Sequence, residues 1–184
     1  QLSGEWSGRG LDAVVTVTRD DQGVPEIEAS SRADALFALG FVHGQERFFQ
    51  MDLSRRSAGG ELAELFGELA LGRDREARAF GLRALAERAL SRLEADERRR
   101  LRTYADGVNA GLDALASPPF EYLLLRSDPA RWQPEDSLLV VLSMYDLLQD
   151  PTGRHERERA AVLARLPEPL AAFLLPAGGR WDAA

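Results

Sequence analysis

Residues Ala35 to Val42 are apolar on every side of a helix, and they run directly into Gln45, Glu46, Arg47, Gln50, Asp52, Arg55 and Arg56. A helix that is apolar all round must be buried on several faces. Polar groups carried inward behind it need partners of their own. No small self-contained domain accommodates such a block easily. It reads as one interior element of something larger than 184 residues.

The other bulk features set limits. With 45% hydrophobic residues the chain can build a real core. A net charge of −7 argues against a general nucleic-acid binder. All 23 basic residues are arginine, and there is no cysteine, which removes disulfides, thiolate chemistry and cysteine metal sites. The longest apolar run, Leu138 to Met144 with Leu147 and Leu148 beyond, falls well short of the roughly 20 residues a membrane span needs.

Along the chain, Val14 to Thr18 and Val24 to Ala29 flank an Asp/Gly-containing turn and predict a hairpin, with Pro25 at the start or edge of its strand. Ser30 or Ser31 is the expected N-cap of a helix from Arg32 to about Ser57, bent at Gly40 or Gly44 and broken at Gly59-Gly60. A short turn over Glu61 to Phe66 follows. Further helices are predicted over Asp74–Leu90 and Ala95–Ala116, the first with Ala79, Phe80, Leu82, Leu85 and Leu90 on its apolar side. Ser117-Pro118-Pro119 is a stop, and Phe120 to Leu125 is short, apolar and ambiguous in type. Trp132 to Ser137 opens a helix running to about Gln149. Arg154 to Leu166 forms a charged helix, and a proline-punctuated tail is expected to lie across a partner surface. The fold class is α+β, mainly α, treated as a single unit over 1–184 with a strand pair in 1–30 and mostly helix in 31–184. A lone hairpin is only marginally stable, so its strands are expected to join a sheet made elsewhere.

No catalytic set is visible. His43 and His155 stand 112 positions apart, outside any metal-ligand spacing, and His43 reads first as a packed structural residue. Nucleophile-elbow and phosphate-loop sequences are absent. Arg98-Arg99-Arg100 is a solvated helix face. Any catalysis therefore sits mainly on another chain.

Three stretches nevertheless carry a specific pattern: Val17 to Ala29, Asp34 to Arg56 with its Gly-Phe-Val-His-Gly-Gln-Glu-Arg-Phe-Phe-Gln-Met-Asp core, and Gly60-Glu-Leu-Ala-Glu-Leu-Phe-Gly67. Together with Trp132-x-Pro134-x-Asp136 they resemble the penicillin acylase family of N-terminal-nucleophile hydrolases. The resemblance implies a four-layer αββα fold completed by a large β subunit cut from the same exported precursor, which places the protein in the periplasm or outside the cell. This chain has the size and content of the α subunit, and Trp181-Asp182 lies where such subunits stop. It also implies amide hydrolysis by a serine at the β-chain N-terminus, with the serine's own amino group as base and an oxyanion hole on the β chain. None of those groups is in this sequence.

Carried over position by position, the resemblance puts substrate-binding positions at or beside Tyr145 and Gln149, with Met144 and Leu148 as neighbours; the competing reading makes Met144, Leu147 and Leu148 ordinary core. One calcium ligand falls on His155 by ungapped count, or on Glu156 if Asp150–Gly153 holds one inserted residue. Calcium prefers oxygen, so Glu156 is chosen, against the reading of Glu156 and Glu158 as an exposed helix edge. Gln45, Glu46, Arg47, Gln50, Arg55 and Arg56 are expected to brace the subunit interface through arginine forks. The substrate is a small acylated amide. Penicillin-type antibiotics compete here with N-acyl-homoserine lactones (quorum quenching), lipopeptides and cephalosporin side chains, and Tyr145 and Gln149 speak against a benzyl-type pocket. A helical interaction subunit without enzymatic function is the rival from another class.

Overall fold

The computed structural model describes residues 4–7, 10–148 and 153–175. Strands β1 (Thr16–Arg19) and β2 (Pro25–Glu28) pair antiparallel, with Thr16 opposite Glu28 and Arg19 opposite Pro25. Asp20 shapes the turn, its carboxylate accepting the backbone N–H groups of Gln22 (2.9 Å) and Val24 (2.8 Å), and Gly23 takes a positive φ of 77°. Pro25 opens its strand as expected. Among the described residues the sheet has only these two strands.

Ten α-helices follow among the described residues: α1 (Arg32–Glu46), α2 (Phe48–Gly59), α3 (Ala63–Phe66), α4 (Leu71–Phe80), α5 (Leu82–Arg92), α6 (Ala95–Asp113), α7 (Phe120–Leu125), α8 (Pro134–Leu147), α9 (Arg154–Arg165) and α10 (Glu168–Leu174). A 3₁₀ turn over Gly67–Ala70 links α3 to α4. Residues 1–144 and 145–184 form two compact units.

Ser31 is the N-cap of α1. Its hydroxyl accepts the Asp34 N–H (3.0 Å) and donates to the Asp34 carboxylate (2.8 Å), which also takes the N–H of Asp12 at 2.8 Å. The Asp12 amide and the Ser31 hydroxyl hold the Asp34 carboxyl below the usual carboxylate range.

The expected long helix divides, but not at the glycines. Arg47, with φ −136°, separates α1 from α2. Gly40 and Gly44 instead permit close packing on α6. A Cβ on Gly40 would lie 2.3 Å from the Tyr104 carbonyl oxygen, and one on Gly44 2.1 Å from that of Val108. From the other side, a Cβ on Gly107 would lie 2.1 Å from the Phe37 carbonyl oxygen, and one on Gly111 2.0 Å from that of Phe41. Four glycines spaced i, i+4 on two helices thus bring the backbones together, and small residues explain how so apolar a helix finds a neighbour. Phe37, Ala38 and Val42 are buried in α1, and Ala105 and Val108 in α6.

Gly81, left-handed at φ 64°, likewise splits the segment expected over Asp74–Leu90 into α4 and α5. The break resets the helical phase. Ala77 and Ala86 are buried, while Ala79, Phe80 and Leu85 of the expected apolar side are exposed. Phe120 to Leu125 proves helical, and the proline-rich tail contains α10.

Two apolar clusters fill the unit of residues 1–144. Phe48, Ala105, Val108, Tyr122 and Trp132 make one; Ala58, Ala86 and Leu139 make the other. Each large side chain so buried contributes about 1.5–3 kcal/mol.

Candidate functional site

Helix α8 carries Met144 and Tyr145 of the expected substrate positions, and its start is held by charge. Asp136, in its first turn, is 1% exposed. One carboxylate oxygen accepts Arg55 Nη1 (2.6 Å) and the Gln133 N–H (2.8 Å); the other accepts Arg83 Nη1 (2.6 Å). Arg83, from α5, closes a fork on Glu61 with Nε at 2.9 Å and Nη2 at 2.6 Å. Burial opposes the Arg83 charge, yet the bonds from Glu61 and Asp136 outweigh it and raise the guanidinium above its ordinary range.

The network continues into α2. Asp52, fully buried, accepts Arg55 Nε (2.7 Å), Arg56 Nε (2.9 Å) and the Tyr122 hydroxyl (2.6 Å). Burial, then the bond to Asp52, pushes the Tyr122 phenol upward, so it stays a donor. Arg55 also donates to the carbonyls of Arg131 (2.7 Å) and Ala130 (2.5 Å), and its guanidinium lies 5.2 Å from the Trp132 ring centre. Arg56 pairs with Glu64. Asn109 exchanges two 2.9 Å hydrogen bonds with the Trp132 backbone, and Trp132 Nε1 donates to Ser137. Asp74 of α4 accepts the N–H groups of Leu62 (2.9 Å) and Ala63 (2.7 Å) at the start of α3. Buried ions survive when their hydrogen-bonding capacity is filled. Here the capacity of the buried Asp52 and Asp136 is filled by Arg55, Arg56 and Arg83 together with the Tyr122 hydroxyl and the Gln133 N–H. The more open Glu61 and Glu64 take further bonds from Arg83 and Arg56.

The arginine fork expected from the sequence is therefore real at Arg55 and Arg56, where it braces the chain internally. Glu46, Arg47 and Gln50 are exposed. His43 is a packed residue, its Nδ1 2.8 Å from the Tyr104 hydroxyl. Burial lifts Tyr104 to about 12 and, with Arg47, lowers His43.

Met144 is 60% exposed, Tyr145 69% and Leu148 81%. In this chain these are open apolar side chains rather than core. The Leu148 N–H bonds the Tyr145 carbonyl at 3.3 Å. Gln149 lies outside the described residues. Glu156 and His155 are both exposed in the first turn of α9. Among the described residues no group of three or more His, Asp or Glu side chains could hold a metal. Sequence reasoning gave Asp52, Asp136 and Glu61 no role, although all three lie in the segments that carried the resemblance. Arg83 sent no signal, since its partners are 22 and 53 residues away.

Comparison with known proteins places this architecture. The penicillin amidase family model matches residues 14–181. A penicillin acylase 2 proenzyme of Pseudomonas sp. is 46% identical over 140 residues, 76% of this chain and 18% of that protein. An acyl-homoserine lactone acylase (QuiP) of Pseudomonas putida is 36% identical over 182 residues, 95% of this chain and 21% of that protein. A solved chain of a thermostable penicillin G acylase from Alcaligenes faecalis superposes with a TM-score of 0.69 at 27% identity, covering 93% of this chain and 95% of that one. The chain belongs to the penicillin amidase family. It spans about a fifth of the length of these curated relatives.

Proposed function

We propose that this chain is the α subunit of an acylase that hydrolyses the side-chain amide of a small N-acyl substrate, releasing a carboxylic acid and an amine. One observation carries the reading: the chain matches curated relatives over a fifth of their length, one of them a proenzyme, yet covers 95% of a solved acylase chain. A precursor cut into unequal chains accounts for both. The exposed apolar side chains of α7 (Phe120, Leu123, Leu124) and α8 (Val141, Met144), together with a two-stranded sheet, suit a surface that a large β subunit completes.

The nucleophile in this scheme is the β-chain N-terminal serine. Its oxygen attacks the amide carbonyl, the amine leaves with a proton, and water cleaves the acyl ester. Tyr145, Gln149, Met144 and Leu148 contribute to the acyl pocket from this side. Glu156 supplies one carboxylate to a calcium ion that needs six to eight oxygens, the remainder coming from the partner. An accessible carboxylate fits that part, and one carboxylate alone does not make a site. The precursor is exported to the periplasm or beyond; no described helix is long and apolar enough to cross a membrane.

Penicillin-type and N-acyl-homoserine lactone substrates both have relatives named for them. The open, flexible Met144 and the aliphatic Leu148 favour an aliphatic acyl group. Incubating the co-expressed chains with phenylacetyl, short-acyl and long-acyl amides tests this. Release of free amine, fastest from aliphatic substrates, is expected. Lack of turnover of every acyl amide contradicts the reading.

A further inference from the structure

We propose that Arg83 and Asp136 are a positioning pair that sets the rotation of α8 and so tunes which acyl chains are accepted; this rests on the acylase reading above. Asp136 is gripped on opposite carboxylate oxygens by guanidiniums from two different helices, Arg55 of α2 and Arg83 of α5, each at 2.6 Å. One contact fixes a position. Two from different directions also fix an orientation.

A second hold lies just along the helix. Leu139, three residues on and fully buried, packs with Ala58 of α2 and Ala86 of α5, the same two helices. Charge and packing thus pin one face of α8 at consecutive turns. Val141, rotated about 140° from Asp136 by the helical period, is 63% exposed, and Met144 is 60% exposed. A change in the grip at Asp136 turns these side chains as a rigid unit.

Arg83 is the adjustable member. Arg55 is tied to Asp52 and two backbone carbonyls besides, whereas Arg83 holds only Glu61 and Asp136 among its described side-chain bonds and is 27% exposed. Lysine in its place keeps the charge but cannot bridge both carboxylates as a planar fork.

The test is Arg83→Lys in the full precursor, with kcat and KM measured on two acyl amides differing by several methylenes. The expected result is a change of about tenfold in the ratio of their kcat/KM values, the size a misfit of a methylene or two produces. Arg99→Ala, which removes an exposed pair with Asp96, should leave that ratio alone. A lowered thermal midpoint with an unchanged ratio would mean a structural brace and overturn the proposal. Should Arg83→Lys yield no mature enzyme, Glu61→Gln loosens the same fork from its other end; an unchanged ratio there overturns the proposal equally. Wild-type protein inactive on every acyl amide defeats the acylase reading and this proposal together, whereas an active wild type with a static ratio defeats the positioning role alone.

Discussion

Arg55 and Asp136, 81 residues apart in sequence, meet at 2.6 Å in the interior. Their contact joins the Asp34–Arg56 segment to the Trp-x-Pro-x-Asp segment, the two stretches most recognisable in the sequence. What links them is a buried network of ions, and α8 starts where that network ends.

Breaking the network should be costly. Asp52→Ala leaves Arg55, Arg56 and the Tyr122 hydroxyl without their shared acceptor, and loss of one partner from a buried ion pair costs about 3–5 kcal/mol. Asp96→Ala, at exposed pairs with Arg99 and Arg100, should cost far less. Denaturant unfolding of both variants compares them directly.

Gly111→Ala should destabilise by about 1–3 kcal/mol, the range for overpacking, because its Cβ would fall 2.0 Å from the Phe41 carbonyl oxygen. Backbone cannot move aside there. Gly72→Ala, in α4 with open space around it, should be neutral or stabilising by about 0.4–1 kcal/mol. A lowered thermal midpoint for Gly111→Ala and an unchanged or raised one for Gly72→Ala is the expected readout.

Acid should weaken the α1–α6 contact through His43. Its pKa is lowered in the folded state from an ordinary 6.5, by burial and then by Arg47. The unfolded chain therefore binds the proton more readily. The stabilising contribution is complete above pH 6.5 and is lost as pH falls through the lowered folded value. Tyr104, held protonated, cannot act as a counter-charge. A His43→Gln variant should show a flatter dependence of thermal midpoint on pH between 5 and 7.

Glu156→Gln should reduce the benefit of added calcium to thermal stability, whereas Glu158→Gln, four residues after Arg154 and 3.8 Å from it, should not. Titrating a chelator against both variants distinguishes a ligand from an exposed helix edge. An equal response in the two removes Glu156 from the calcium site.

Much of this architecture was legible from local chemistry. The Ser31 cap, the Asp/Gly turn between the strands and the start of β2 at Pro25 all announce themselves over a few residues. The breaks at Arg47 and Gly81 did not. Glycine in a helix reads as a weak point, and only the partner helix shows that Gly40 and Gly44 serve close approach. Arg83 was equally hidden, because a salt bridge spanning 53 residues leaves no periodic trace. The exposed state of Met144 and Leu148 also needed coordinates, since an apolar run looks the same whether it faces a core or a partner.

The most direct test is the identity of whatever chain accompanies this one. When the precursor is expressed and the product purified under native conditions, intact mass and N-terminal sequencing should find a larger polypeptide in equal amount, beginning with serine. Recovery of this chain by itself, as a stable folded monomer with no companion, would contradict the account.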